Sequence, residues 1–298
     1  MYTFFGILAI LFWSTTIAFS RTLTEQLGPL TAGASIYLLA GVLACLAAGR
    51  KPGGLLKLFR LPRRYLYGCG ALFVGYILLL YLAVGLAQTR PQVVAVGLAN
   101  YLWPSLTLLL ALPIQRQRAN GLLALGIALS LGGSWLAAAG DNPGALATLL
   151  ADPAGWLPVG LALLAALLWA LYSNLAHRWG SGENNGVPLF LLACGLCFLP
   201  LRFLAAEPLP VFSTVLPSLL YMAVFPALLG YSLWDTAVQR GDLLLVTTFS
   251  YFTPLLSTLV SLIVLQVPLT AQLGLAAVLV TGGAVLARRG MFNSNFNN

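Results

Sequence analysis

Charge is scarce in this chain. Of 298 residues only seven are acidic, fifteen are basic and one is histidine, so charged residues make up 7%. A soluble domain carries about 25%, and so thin a polar coat excludes a water-soluble enzyme of this size. A disordered chain is excluded as well, because disorder needs high charge and few apolar residues. The lone His177 has no acidic neighbour in sequence, which leaves no basis for a buried hydrolytic triad. Four cysteines, Cys45, Cys69, Cys194 and Cys197, all fall in or beside apolar runs, so no disulfide framework is expected. Cys194-x-x-Cys197 has a redox or zinc spacing but no partner pair, and small buried residues are the simpler reading. Glycine-rich nucleotide loops, Walker patterns and metal-ligand spacings are missing. No cofactor, no metal and no enzymatic activity are therefore expected.

Apolar residues fill the space that charge leaves, at 60% of the chain. A helix needs about 20 of them to cross the roughly 30 Å hydrocarbon core. Ten such runs are found: 3–20, 31–48, 65–86, 92–113, 120–139, 156–177, 187–206, 213–236, 243–266 and 270–287. The connections between them are too short to hold a domain, so function must lie between helices. The net charge of +8 is not a nucleic-acid footprint. With the amino terminus inside, twelve basic residues fall on inner loops and tails. Only Arg21, Arg90 and Arg202 fall outside. That is the positive-inside pattern of a multi-pass protein of the cell inner membrane. Both termini are then cytoplasmic, and no nucleic-acid partner is expected.

The chain also repeats itself. At an offset of 150, residues 81–140 and 231–290 are identical at 17 of 60 positions without a gap. Tyr81 meets Tyr231, Arg90 meets Arg240, Tyr101 meets Tyr251, Pro104 meets Pro254, and Gly132-Gly133 meets Gly282-Gly283. The expected fold is all-α: ten transmembrane helices in two inverted five-helix halves. Residues 1–140 form the first repeat, 141–155 an outer linker and 156–290 the second repeat. The polar residues 291–298 read as an appended tail. Five helices is an odd number, so the second half starts on the opposite side. Inverted halves are a common transporter architecture, with two related ways to rock.

Pro104 and Pro254 lie near the middle of their runs. Each lacks an N–H, which frees the carbonyl four residues earlier, on Asn100 and Ser250. Irregular backbone at membrane depth is tolerated only inside protein or along a cavity. Two bent helices around a substrate cavity are therefore expected, against the plainer reading of packing kinks. Helical spacing puts Asn100, Trp103 and Thr107 on one face, and Ser250, Thr253 and Ser257 on the matching face of the ninth run. Trp13, Tyr76, Tyr101, Trp103, Trp169, Tyr172, Tyr221 and Tyr251 fall at mid-depth rather than at the interfaces where Trp and Tyr usually gather. A cavity lined with them suits flat, partly apolar solutes and binds an ammonium group through cation–π contact. Among ionisable residues the nearest to a span centre is Asp235, at the inner end of the eighth run, so no carboxylate proton relay is visible. Ala124, Ala128 and Gly132 form a small-residue ridge assigned to helix packing.

Certain segments resemble a known family. They are Ala165-Ala-Leu-Leu-Trp-Ala-Leu-Tyr-Ser-Asn174, Leu229-Gly-Tyr-Ser-Leu-Trp-Asp235, Ser250-Tyr-Phe-Thr-Pro-Leu-Leu256 and Pro268-Leu-Thr270. They are similar to the drug/metabolite transporter superfamily in its ten-helix, EamA-type exporter branch. Val96-Gly-Leu-Ala-Asn-Tyr-Leu-Trp-Pro-Ser-Leu-Thr107 and Leu11-Phe-Trp-Ser-Thr-Thr16 resemble, more narrowly, the aromatic amino-acid exporters of bacterial inner membranes. Where that family often has Gly-Glu before Pro-Leu-Thr, this chain has Gln266-Val267. The resemblance implies export of aromatic and other neutral amino acids by alternating access. The absence of a central acid adds the expectation of no proton coupling. A drug or quaternary-cation exporter of the same superfamily is the alternative. The implied substrate site is Tyr76, Asn100, Trp103, Trp169, Ser250 and Tyr251, with Pro104 and Pro254 as gating kinks. The expected partners are an amino-acid substrate and the lipid bilayer, with the chain a monomer or weak homodimer.

Overall fold

Backbone in hydrocarbon has no water to bond to, so the apolar runs close their hydrogen bonds internally as helices. The computed structural model of the chain describes residues 1–50, 53–139, 156–182, 185–205, 207, 212–253, 255–257, 259–260 and 271–293. Within them the order is α1 (Tyr2–Ser14), α2 (Thr16–Leu27), α3 (Pro29–Gly49), the short α4 (Leu56–Phe59), α5 (Gly70–Leu86), α6 (Arg90–Asn100), α7 (Trp103–Ile114) and α8 (Gly121–Ala139). Then come α9 (Trp156–Trp179), α10 (Val187–Ala205), α11 (Phe212–Met222), α12 (Tyr231–Arg240), α13 (Leu243–Phe249) and α14 (Ala271–Arg289). A π-helical stretch, Arg64–Cys69, leads into α5, and another, Ala223–Gly230, joins α11 to α12. Six of these helical segments are long and apolar enough to cross a membrane, and shorter apolar helices accompany them. Large apolar side chains such as Phe4, Phe203, Leu204 and Val278 point outward, as contact with lipid allows.

Three departures from the expected runs have local causes. The first run continues past residue 20 to Leu27, with a bend at Thr15. There the Ser14 and Thr15 hydroxyls donate back to Leu11 and Phe12 carbonyls, both at 2.7 Å, a contact that bends helices. The helix stops at Gly28, whose φ of +78° suits glycine, and Pro29 starts the next one. The fourth run is not bent but broken: α6 ends at Asn100, Tyr101 and Leu102 form a turn, and Pro104 sits in the first turn of α7. A proline there forfeits no helical bond, which is why the break falls just before it. The ninth run is interrupted alike, by a 3₁₀ turn at Ser250–Phe252. Pro254, the linker 141–155 and much of the run beyond residue 260 lie outside the described residues. The start of the polar tail is part of the fold, since Met291–Asn293 pairs antiparallel with Gln117–Ala119.

The helices pack chiefly as α3 on α10, α8 on α14, α5 on α9 and α1 on α12, with α7 also lying against α9. Between α8 and α14 the backbones touch. A Cβ on Gly126 would strike Ala287, and one on Gly283 would strike Ser130. The ridge that makes this contact is not Ala124, Ala128 and Gly132. Those three residues are exposed, and Gly132 has nothing within 4 Å of a would-be Cβ. Two small-residue stripes run along α8, and the one matching the glycines of α14 is the one used. All four cysteines are free, with Cys69 and Cys194 buried.

Candidate functional site

Trp169, at the middle of α9, is the centre of the largest buried feature. Around it stand Tyr76 of α5 at 4.7 Å between ring centroids, Tyr172 at 4.9 Å, Tyr231 at 5.6 Å and Trp13 of α1 at 5.7 Å. Phe73 follows at 5.9 Å, Trp234 of α12 at 6.1 Å and Trp103 of α7 at 6.3 Å. Seven rings from five helices thus surround one indole. Most meet edge-on or tilted, the arrangement their quadrupoles prefer.

Buried indoles need acceptors, and the local backbone supplies them. The Trp13 N–H donates to the Pro226 carbonyl at 3.1 Å, and the Trp234 N–H to the Ser173 hydroxyl at 3.2 Å. Pro226 lies in the π-helical stretch, where loosened winding leaves carbonyls available.

Asn100, the last residue of α6, lies beside the Tyr76 hydroxyl. Its Oδ1 is buried and has no hydrogen-bond partner. It is one of seven buried side-chain polar atoms without a partner among the described residues, and the Asn100 side chain itself hydrogen-bonds the Tyr76 hydroxyl. Tyr76, Asn100, Trp103 and Trp169 are therefore brought together. Ser250 and Tyr251 are not. The Ser250 hydroxyl donates to the Val246 carbonyl of its own helix at 3.1 Å. Tyr251 shares a 2.8 Å hydrogen bond with Ser105 and packs with Leu108, Ala111 and Ala276 in a separate core. Pro104 is buried at the break itself. Thr107 spends its hydroxyl on the Trp103 carbonyl at 2.7 Å.

Asp235 is the residue that sequence reasoning undervalued. It is fully buried, and its carboxylate accepts from Tyr65, Tyr172 and Gln239, each at 2.7 Å. Gln239 one turn later was the available signal. Tyr65 and Tyr172 come from other helices, and no spacing announces them. Tyr231 and Trp234 stand in the same Leu229–Asp235 motif, whose aromatics pointed to the cluster. His177 sits at the end of α9 with Nδ1 on the Val238 carbonyl. No cluster of metal-binding side chains occurs among the described residues.

The box of rings lies between helices long and apolar enough to cross a membrane, as in a membrane transporter. The EamA-like transporter family matches residues 1–139 and again 156–289, and the chain belongs to that family. It is a multi-pass membrane protein. Over 288 residues it is 33% identical to the aromatic amino acid exporter YddG of Escherichia coli (strain K12), covering 95% of both chains. It is 34% identical over 288 residues to the exporter of that name from Salmonella typhimurium (strain 14028s / SGSC 2262), again covering 95% of both. A solved crystal structure of a protein 27% identical in sequence superposes with a TM-score of 0.80 over 96% of each chain.

Proposed function

We propose that this protein exports aromatic and other neutral amino acids across the cell inner membrane by alternating access, driven by the cargo's own gradient. The observation that carries the reading is the unpartnered Asn100 Oδ1 beside the rings of Tyr76 and Trp169. An aromatic side chain fits among rings, and an α-ammonium carries N–H donors for the open acceptor. The ring box alone also suits a quaternary cation through cation–π contact. Such a cation has no N–H to give Asn100, which favours the amino acid.

Two inverted five-helix halves are part of the reading. The family matches twice, once in each half of the chain. The helix pairing also maps onto itself when the halves are exchanged: α3 with α10 and α8 with α14 are self-paired, and α5 with α9 is the image of α1 with α12. The cytoplasmic end is the basic one, where Arg178 reaches the Ile114 carbonyl, Arg240 lies over Tyr2 and Arg288 pairs with Asp242. Proton coupling is left out because Asp235, placed toward that end, is occupied as a triple acceptor away from Asn100. A ligand shifts a conformational equilibrium only by its differential affinity for the two states. With cargo as the sole such ligand, net flux follows the cargo gradient.

Counterflow of labelled phenylalanine or tryptophan in liposomes tests the substrate class. Uptake of a quaternary amine with no amino-acid flux would replace it. A pH gradient imposed over equal substrate on both sides tests the coupling. Accumulation that a protonophore abolishes overturns that part.

A further inference from the structure

At the basic end lies a pocket of about 520 Å³ that the ring cluster does not include. Its polar wall holds Lys57, Asn185, Ser232, Thr236, Gln239 and Arg240. Gln239 has a second face, because its Nε2 donates to Asp235 Oδ2 at 2.7 Å while its Oε1 accepts from the Gly182 N–H at 3.1 Å. Behind it, Asp235 Oδ1 takes the Tyr172 hydroxyl, and Tyr172 stacks on Trp169 at 4.9 Å. Asp235 Oδ2 also takes the Tyr65 hydroxyl, whose oxygen in turn accepts the Gly186 N–H at 2.8 Å. One carboxylate thus ties together the start of α5, the middle of α9, the end of α12 and the α9–α10 connection. Through Gln239 it reaches the pocket wall, and through Tyr172 it reaches the ring cluster.

Its partners decide what such a tie is for. All three are neutral donors. A buried charge without a cation is expensive, and a leucine in its place would pack at less cost. A lysine or arginine partner would fix the closed arrangement. Three hydroxyl and amide donors hold a carboxylate about as well as water does, so the tie can be exchanged for water at modest cost. We propose that Asp235 is the latch of the cytoplasmic gate. Closed, it holds Tyr65, Tyr172 and Gln239 across the passage between the basic-end pocket and the ring cluster; open, it faces water in that pocket. The inference rests on the proposed transporter reading and on the cytoplasmic position of the basic end.

Cys69 makes the latch testable without any cargo. It is fully buried, close to Asp235, in the π-helical stretch that also carries Tyr65. With Cys45, Cys194 and Cys197 replaced by Ala, its reaction with a membrane-impermeant maleimide in inside-out membrane vesicles reports opening from the basic side. Asp235→Asn turns one acceptor into a donor facing a hydroxyl, and labelling is expected to rise about tenfold, the change that a shift of about 1.4 kcal/mol produces. Tyr65→Phe and Gln239→Ala remove one bond each and are expected to raise it about threefold. Asp242→Asn breaks the Arg288 pair at the same end and should leave labelling unchanged. An Asp235→Asn protein that melts normally yet labels no faster overturns the latch. So does an equal rise in Asp242→Asn, which would mean general loosening. If Asp235→Asn does not accumulate, unchanged labelling in both Tyr65→Phe and Gln239→Ala overturns it instead. Because labelling needs no amino acid, a failed counterflow assay and a failed latch are separate results.

Discussion

The two helix breaks stand 150 residues apart and have come to different ends. At Asn100–Leu102 the break leaves an open acceptor beside the rings around Trp169. At Ser250–Phe252 the hydroxyls are mostly used: Ser250 bonds back to its own helix and Tyr251 is tied to Ser105, while the adjacent Thr253 Oγ1 is buried without a partner. The two breaks fall at positions that match at an offset of 150, yet they differ in which side chains they leave open. The ring box draws Trp103 and Tyr76 from the first half and Trp169, Tyr231 and Trp234 from the second, and among the described residues no second box surrounds Tyr251. The ring cluster thus lies beside the first of the two breaks.

That contrast can be broken by substitution. The largest effect is expected for Trp169→Ala. Removing the central ring empties a packed cluster, costs about 3–5 kcal/mol, and should abolish counterflow while lowering the melting temperature. Next comes Gly283→Leu, which drives a side chain into Ser130 and the α8 backbone. Overpacking of about 1–3 kcal/mol is expected, visible as poor thermal stability in detergent. Gly132→Leu, on the exposed stripe, should stay within about 0.5 kcal/mol of the parent. Asn100→Leu removes the open acceptor together with the hydrogen bond to Tyr76, so stability should fall by about 1 kcal/mol while amino-acid flux falls about tenfold. Ser250→Ala, its counterpart at offset 150, should change flux less than twofold, since only a back-bond to Val246 is lost. Equal losses in these two variants would restore symmetry to the site and refute the contrast. Pro104→Ala should have the smallest effect on stability, because proline in a first helical turn sacrifices no bond. A fall in flux without a fall in stability would show that the break itself serves transport.

The apolar runs were legible because hydrocarbon leaves backbone no other choice. Most run limits match the helices to within a few residues, as 187–206 matches Val187–Ala205. The extension of α2 beyond residue 20 was not legible, because residues 21–27 are polar enough to read as loop. Its order comes from α11, where Thr214 donates to Gln26 at 2.9 Å. Tyr76, Asn100, Trp103 and Trp169 were readable as a set because depth in the membrane survives folding. Ser250 and Tyr251 shared that depth, but which way a residue turns after a 3₁₀ turn is decided by its neighbours. Asp235 was hidden for another reason. Two of its donors stand 170 and 63 residues away, and only the assembled bundle brings them to it. The α8 ridge was misassigned on the same ground, since spacing identifies a small-residue stripe and the partner helix chooses between two.

The π-helical stretches have a consequence for motion. A π turn holds one residue more than the α turn it replaces. Passing that surplus residue along a helix re-aims each side chain it crosses by about 100°, while the helix ends stay in place. One stretch, Arg64–Cys69, carries Tyr65; the other, Ala223–Gly230, carries the Pro226 carbonyl that holds Trp13. Swivelling of these two walls therefore needs neither a longer helix nor a new break, only a migrating coil of slack already wound into the backbone.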